Sequence, residues 1–283
     1  MGKIYMEGID ISKHNGNIDL TPYKNGFVII RAGYGKKTVD KKFARNADLC
    51  EKLGIPYGVY WYSYATSVAD ARAEAAKCMQ TIRGRKISVG VWFDMEDADG
   101  YKANRGAVNS TLISEMCKAF CSEVEAAGHY CGIYASASWF KTYIKGCDRY
   151  DKWVASWGKN DGKLNTNTSG MGSLQQYTSK PLDKNVMYVP LSTYDLSKPK
   201  EEPANGTGES EDTDMGNTTT TTPDTVNTVP AWAVKELQEA MDMGITDGTR
   251  PGAEATRCET AVMVKRGVEY AIKKFEKINK GAE

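Results

Sequence analysis

Short apolar runs alternate with helical patterns over the first two-thirds of the chain. Eight of these runs predict β-strands: residues 8–12, 27–32, 57–62, 88–94, 130–135, 153–156, 174–177 and 193–196. Several of the runs are almost continuously apolar, which is typical of strands that are buried on both faces. The pattern therefore favours a sheet whose strands lie in the interior of the molecule.

The segments between these strands carry apolar residues at helical spacing. They predict three helices: residues 43–53 with Gly54 as the stop, 67–82 with Ser67 as the cap, and one that begins at Asn109 or Ser110 and stops at Gly128. Strands that alternate with helices imply a parallel sheet. Because the last three strands are barely separated by helix, we predict an α/β fold with a closed, irregular TIM-like barrel of about eight strands. An open, doubly wound sheet is the alternative, and in both folds the chemistry lies at the carboxyl ends of the strands.

A change in composition divides the chain into three regions. Residues 1–197 carry the strand and helix pattern, whereas residues 198–229 are rich in Gly, Asn, Thr and acidic residues and nearly lack apolar ones. Such a segment cannot bury enough surface to offset its chain entropy, so we predict a flexible linker. Residues 230–283 return to helical spacing and predict a small helical domain. Its core is thin, and we expect it to need partners of its own kind.

Composition and charge argue against several classes of function. The formal net charge is +1, so bulk electrostatics does not favour nucleic acid or an anionic membrane, and no apolar stretch approaches the length of a membrane span. The seven cysteines are scattered and show no CxxC pair, so we expect reduced thiols, and two histidines argue against a His-rich metal site. We expect no metal and no other cofactor. The N-terminus lacks the apolar core of a signal peptide, which predicts synthesis and retention in a cytoplasm.

Two carboxylates follow one another at the end of a strongly apolar strand. Asp94 and Glu96 point the same way in a strand, because side chains alternate between its two faces. Side-by-side carboxylates repel each other and raise the pKa of at least one. Hydrolysis of a glycosidic bond needs such a site, with one protonated carboxyl and one ionised carboxylate. A Mg²⁺ or Ca²⁺ site at Asp94, Glu96 and Asp97 is an alternative, but the pleat turns Asp97 to the other face.

Seven short motifs follow one another along the first two-thirds of the chain. They are residues 8–16 (GIDISKHNG), 40–46 (DKKFARN), 58–63 (GVYWYS), 94–96 (DME), 132–134 (GIY), 176–177 (QY) and 194–196 (YDL). Each is weak alone, but in this order they span nearly all of residues 1–196 and resemble glycoside hydrolase family 25, the Chalaropsis-type muramidases that are common among phage endolysins. The resemblance implies a flattened barrel with fewer helices than strands. It also implies cleavage of the β-1,4 bond between N-acetylmuramic acid and N-acetylglucosamine.

Four acidic residues are the candidate catalytic groups. We expect Glu96 to be the general acid, because a Glu crowded by anions in an aromatic cleft retains its proton. Asp94 would be its ionised neighbour, which either stabilises positive charge in the transition state or positions the substrate's acetamido group. Asp10 ends the first predicted strand and Asp195 ends the last, and these strands are neighbours in a closed barrel. The family pattern also has acids at both positions, so we expect both in the site, with turn or cap roles as the alternative.

Aromatic and amide side chains are candidates for contact with the saccharide. They are Tyr34, Trp61, Tyr62, Tyr134, Trp157 and Gln176. Tyr62 and Tyr134 match positions that the resemblance implies around the substrate. Packing in the core or at the rim is the alternative for Trp61 and Trp157. Residues 31–35 (RAGYG) and Gln175 depart from the common family pattern, which leaves fine substrate preference open.

Residues 244–248 (GITDG) and 255–259 (ATRCE) resemble a single S-layer-homology-like repeat. This resemblance implies self-association into a homo-oligomer, or weak binding to a secondary cell-wall polymer that multivalency strengthens, with oligomerisation alone as the alternative. The whole chain is then predicted to be a phage or prophage endolysin acting on bacterial peptidoglycan. It would wait in the host cytoplasm until lysis and then reach the cell wall. A non-catalytic saccharide-binding protein and a bacterial autolysin are the alternatives.

Overall fold

The structure, a computed structural model, describes residues 2–196 and Ala240. These residues contain the predicted barrel unit. The predicted linker at 198–229 and the predicted helical domain at 230–283 lie outside the described residues, apart from Ala240.

The described strands close into an irregular barrel, as predicted. Their bounds are β1 (Met6–Ile11), β2 (Phe27–Tyr34), β3 (Thr38–Val39), β4 (Tyr57–Tyr62), β5 (Val91–Asp94), β6 (Cys131–Ser136), β7 (Asp151–Ala155), β8 (Leu174–Thr178) and β9 (Lys184–Met187). The order around the barrel is β1, β2, β4, β5, β6, β7, β8 and β9, and β9 pairs with β1 to close it. The short β3 only extends the end of β2 as a hairpin.

The direction of the last strand differs from that of the other seven barrel strands. Every pairing from β1 through β8 around the barrel is parallel, whereas β9 is antiparallel to both of its neighbours. Seven of the eight predicted strands are confirmed. The prediction of a strand at 193–196 is wrong, because Leu191–Tyr194 form a 3-10 helix and the closing strand is Lys184–Met187. One end of the barrel therefore gathers seven strand carboxyl ends and the amino end of β9.

Helices cover the outside of the sheet, and three of them are confirmed predictions. Their bounds are α1 (Phe43–Leu53), α2 (Val68–Ile82), α3 (Ser110–Ala126) and the short α4 (Ala137–Thr142), which the sequence did not predict. The Ser67 hydroxyl caps α2 by accepting from the Asp70 amide (3.1 Å), and the Asn109 side chain caps α3 through the Leu112 amide (2.9 Å). None of the described helices has the length and apolar character needed to cross a bilayer.

Strand alternation produces two main cores. The outer core lies between the sheet and the helices, where Phe93 of β5 stacks on Phe120 of α3 with ring centroids 4.0 Å apart. The inner core fills the barrel with residues such as Trp92 and Trp153. Gly132 of β6 is required beside Trp92, because a Cβ there would lie 2.3 Å from the indole ring. Asp94 lies two residues beyond Trp92 and shares its inward face.

Candidate active site

A pocket opens at the end of the barrel where the parallel strands finish. It is lined by Asp10, Tyr60, Asp94, Glu96, Ala98, Tyr134, Trp153, Trp157, Gln176 and Asp183. Asp10 lies near the end of β1, Asp94 ends β5, Glu96 follows two residues later, and Asp183 immediately precedes β9. Four carboxyl groups from three separate segments therefore share one pocket, and three of the four are sequence predictions.

Asp94 and Glu96 form the predicted pair of neighbouring carboxyls. Asp94 is only 3% exposed. Burial raises the pKa of Asp94 well above its usual value of 3.8, and the charge of Glu96 raises it further. Burial also raises the pKa of Glu96, while the charge of Lys102 and the interaction with the Asp94 side chain oppose the increase. The pair thus retains a proton to higher pH than an ordinary carboxyl, as expected.

The two members of the pair differ in depth. Asp94 is buried, and burial and the charge of Glu96 raise its pKa, whereas Glu96 is partly exposed at the pocket. An ionised Asp94 beside a protonated Glu96 stays a prediction. The second oxygen of Asp94, Oδ1, is buried and has no hydrogen-bond partner. A polar group that enters the pocket would find this oxygen unsatisfied.

Two amide side chains hold Asp10 in the pocket. Its Oδ2 atom accepts hydrogen bonds from Gln176 Nε2 (2.9 Å) and Asn185 Nδ2 (2.8 Å). Burial raises the pKa of Asp10 from 3.8 to about 7, and the charge of Asp183 adds to the increase, while both amides lower it. Asp10 therefore titrates close to neutrality although it has two good donors.

Asp183 is a candidate that sequence reasoning missed. Burial raises its pKa from 3.8 to about 6. The main-chain oxygen of Asp183 accepts a hydrogen bond from the Asp10 amide (3.3 Å), which ties the two acids together. The sequence signal that could have identified Asp183 is its position immediately before the short strand that closes the barrel.

Asp195 lies away from this pocket, so the expectation that it joins the other acids is wrong. It follows the 3-10 helix that ends at Tyr194. It lines a different depression together with Ser88 and His129, which come before β5 and β6. Residues that precede parallel strands lie at the opposite end of the barrel from residues that follow them. Because β9 is antiparallel, the chain after it returns to that opposite end.

Three of the predicted saccharide contacts line the pocket and are joined by hydrogen bonds. Gln176 Oε1 accepts from the Tyr134 hydroxyl and from Trp157 Nε1, both at 2.9 Å. Tyr134 is 8% exposed, whereas Trp157 is 39% exposed and offers an open aromatic surface at the rim. Gln176 also donates to Asp10, so one amide links an acid, a phenol and an indole.

The other three predicted contacts do not line the pocket. Trp61 points to the outer core, is fully buried, and donates from Nε1 to the Gly35 carbonyl (3.0 Å), so its prediction as a substrate contact is wrong. Tyr34 ends β2 at the same end of the barrel and lines a separate surface depression, so its contact with a saccharide stays a prediction. Tyr62 is the register partner of Asp94 on the neighbouring strand and lies beside the pair rather than in the lining.

Sequence reasoning also missed three side chains of the site, namely Tyr60, Trp153 and Asn185. Tyr60 and Trp153 line the pocket. Trp153 Nε1 donates to Asn185 Oδ1 (2.8 Å), which orients the Asn185 amide towards Asp10. Strand alternation places Tyr60 on the inward face, two residues before Tyr62, and that signal was available.

Asp97 does not join the carboxyl pair. Its two oxygens accept from the main-chain amides of Lys102 (2.7 Å) and Ala103 (2.9 Å), so it shapes the loop after β5. Among residues 2–196, no group of three or more His, Cys, Asp or Glu side chains has the arrangement of a metal site.

Comparison with known proteins decides the family. The sequence model described as glycosyl hydrolases family 25 matches residues 9–186, which is more than half of the chain. The chain belongs to glycosyl hydrolase family 25. The pocket acids Asp10, Asp94, Glu96 and Asp183 all lie within the matched range.

Relatives of this family 25 chain include both sequences and solved structures. The Escherichia coli O157:H7 protein YegX is 29% identical over 171 residues, which cover 56% of this chain and 60% of that protein. The modular autolysin LytC of Streptococcus pneumoniae, solved with a synthetic peptidoglycan ligand, is 25% identical with a TM-score of 0.55, covering 64% of this chain and 46% of LytC. A family 25 glycosyl hydrolase from Bacillus anthracis is 22% identical with a TM-score of 0.54, covering 69% and 94%. This last likeness supports the fold alone.

Proposed function

We propose that this family 25 domain is a peptidoglycan hydrolase that cleaves the β-1,4 bond between N-acetylmuramic acid and N-acetylglucosamine. The observation that carries the proposal is the convergence of Asp10, Asp94, Glu96 and Asp183 beside an aromatic rim. Glycoside hydrolysis requires a carboxyl that retains its proton next to one that does not. The similarity to LytC, an autolysin solved with a peptidoglycan ligand, supports the choice of substrate class.

Glu96 is the general acid in this proposal. It is partly exposed at the pocket, whereas Asp94 is buried beneath it, so Glu96 is the member of the pair that a glycosidic oxygen reaches. Its proton passes to the leaving oxygen as the bond from that oxygen to the sugar C1 breaks. The resulting Glu96 carboxylate then takes a proton from the water that completes hydrolysis.

Asp94 positions the substrate's own acetamido group. The acetamido N–H would donate to the carboxylate of Asp94, whose Oδ1 has no partner in the protein, and the acetamido oxygen would attack C1. Such a hydrogen bond favours the ionised form of Asp94. The proton that the pair shares is then held by Glu96 in the complex. This route predicts retention of configuration at C1.

Asp10 and Asp183 contribute negative charge where positive charge develops on the sugar ring. Asp10 is held rigidly by Gln176 and Asn185, and Gln176 is itself fixed by Trp157 at the rim. A saccharide that stacks on the exposed ring of Trp157 would therefore contact a residue that Gln176 joins to this network. Binding at the rim and orientation of the acids are linked through one amide.

The first test is clearing of Gram-positive cell walls by wild type and by Glu96→Gln. The variant keeps the shape of the side chain and removes the transferable proton, so we expect at least a 100-fold loss of rate. Asp195→Asn is the matched control, because it removes a carboxyl at the opposite end of the barrel, and it should clear walls at the wild-type rate. If Glu96→Gln clears walls as fast as wild type, the assignment of the acid is wrong.

The second test identifies the bond and the stereochemistry. Mass analysis of released fragments should find N-acetylmuramic acid at the new reducing end; N-acetylglucosamine there would contradict the proposed specificity. Proton NMR of the first product should show the β-anomer before mutarotation. An initial α-anomer would exclude participation of the acetamido group as described.

We also propose that the chain acts as a phage or prophage endolysin in which residues 230–283 give affinity for the cell wall. The resemblance of residues 244–248 and 255–259 to an S-layer-homology repeat supports this role. A chain that stops before Pro199 should hydrolyse soluble wall fragments normally but bind intact cells more weakly. Unchanged binding to cells would remove the targeting role of the C-terminal region.

A further inference from the structure

A completely buried lysine lies behind the carboxyl pair. Lys102 is 0% exposed and comes just before the 3-10 helix Ala103–Arg105. Its Nζ donates hydrogen bonds to the main-chain oxygen of Glu96 (2.7 Å) and to that of Ser63. Ser63 follows β4 and Glu96 follows β5, so one ammonium group joins the two segments that leave neighbouring strands beside the pocket.

The charge of Lys102 is balanced by acids at a distance. Within residues 2–196, no carboxylate lies within 4.0 Å of its Nζ in an ion pair. The titratable groups that face it are Asp94 and Glu96 at the end of β5, Asp97 and Asp99 in the following loop, Glu74 of α2, Tyr62 of β4 and Cys117 of α3. Burial of an ammonium without a contact ion pair costs free energy of folding, because the charge loses its hydration. We therefore expect this lysine to have a function beside the active site.

We propose that Lys102 is a positioning residue of the hydrolase: it holds the backbone of Glu96 in place and keeps a positive charge behind the Asp94–Glu96 pair, so that the pair carries one proton rather than two. This inference rests on the proposed function of the pocket. Lys102 is absent from the pocket lining, so it acts on the substrate only through the two acids.

The electrostatic effect is mutual between the lysine and the pair. The charge of Lys102 lowers the pKa of both Asp94 and Glu96 against the upward effect of burial. Burial in turn lowers the pKa of Lys102, and Asp94 is the strongest of the groups that raise it. Without the ammonium, the pair would hold two protons to higher pH, and fewer molecules would carry the singly protonated form that catalysis needs.

The test compares the pH dependence of kcat/KM in three variants. Lys102→Met keeps the length of the side chain and removes its charge, and it should move both limbs of the profile to higher pH by about 1 unit or more. Lys102→Arg keeps the charge and changes the shape, so its limbs should stay near those of wild type even if kcat falls. Arg105→Met is the control, because it removes a positive charge from an exposed position in the same turn. Unshifted limbs in Lys102→Met would overturn the proposal and leave Lys102 with a structural role.

A second measurement needs no substrate and retains Lys102. The Nζ of Lys102 is titrated by ¹⁵N NMR in wild type and in Asp94→Asn, and the pKa of Lys102 should fall in the variant because an attracting charge is lost. An unchanged titration would also overturn the proposal. If the substrate class is wrong, activity on wall fragments is absent while this shift persists, so failure of the proposed function is distinguishable from failure of the role of Lys102.

Discussion

Replacement of Asp10 by asparagine should inactivate the enzyme and stabilise it at the same time. The asparagine keeps an oxygen that can accept from Gln176 and Asn185, so the hydrogen-bond network survives. The substitution removes only the ionisable group. Asp10 is 5% exposed, and its raised pKa means that the folded protein binds its proton more tightly than the unfolded chain does.

The sign and size of the effect follow from proton linkage. Between pH 3.8 and about 7 the folded state holds the proton of Asp10 and the unfolded state releases it, so wild-type stability falls as pH rises through this window. The difference corresponds to at most about 4 kcal/mol above pH 7, because one pH unit is worth about 1.4 kcal/mol. Part of this free energy comes from repulsion between Asp10 and the charge of Asp183. Asp10→Asn escapes the loss, so its advantage over wild type should grow by up to about 3 kcal/mol between pH 4.5 and pH 8.

Urea unfolding followed by tryptophan fluorescence measures this advantage at both pH values. Five of the six tryptophans, Trp61, Trp92, Trp139, Trp153 and Trp157, lie within the described barrel and report on it. Glu115→Gln, which neutralises an exposed carboxyl beside Lys118, is the control and should show no such divergence from wild type. The quantity to compare is the stability of Asp10→Asn minus that of wild type. If this difference is no larger at pH 8 than at pH 4.5, the conclusion that burial of this charge is costly is refuted.

Three further predictions concern single side chains of the barrel. Asp183→Asn should lower the pKa of Asp10, because a neighbouring negative charge is lost. Carboxyl ¹³C NMR of Asp10 measures this pKa, and an unchanged value would contradict the prediction. Trp157→Ala should raise KM for soluble glycan fragments about 10-fold or more with a smaller change in kcat; a fall in kcat alone would exclude its role as a binding surface. Gly132→Ala should destabilise the fold by about 1–3 kcal/mol in urea unfolding, because its methyl group overlaps the Trp92 ring, and an unaffected midpoint would contradict the packing of the inner core.

The parts of the barrel that could be predicted are those in which one physical signal dominates. Apolar runs such as residues 27–32 mark strands that are buried on both faces, and seven of these strands are confirmed. The same alternation that correctly directs Asp94 inward also directs Trp61 outward, between the inward Tyr60 and Tyr62. The error at Trp61 therefore arose from preferring residue type over strand parity. The greater depth of Asp94 relative to Glu96 could not be predicted, because alternation places both residues on the same strand face and reports nothing about depth.

The closing strand shows why one catalytic candidate was misplaced. Lys184–Met187 is short and mixed in polarity, because its inward Asn185 belongs to the polar network of the site rather than to the apolar core. A run of this kind is difficult to recognise as a strand, because it has few apolar residues. The spacing of apolar residues also does not predict whether a strand runs parallel or antiparallel to its neighbours. In a barrel that closes with an antiparallel strand, the residue nearest the active end is the one before that strand. The acid expected from the closing segment is thus Asp183, and Asp195 is carried to the far end by the same reversal.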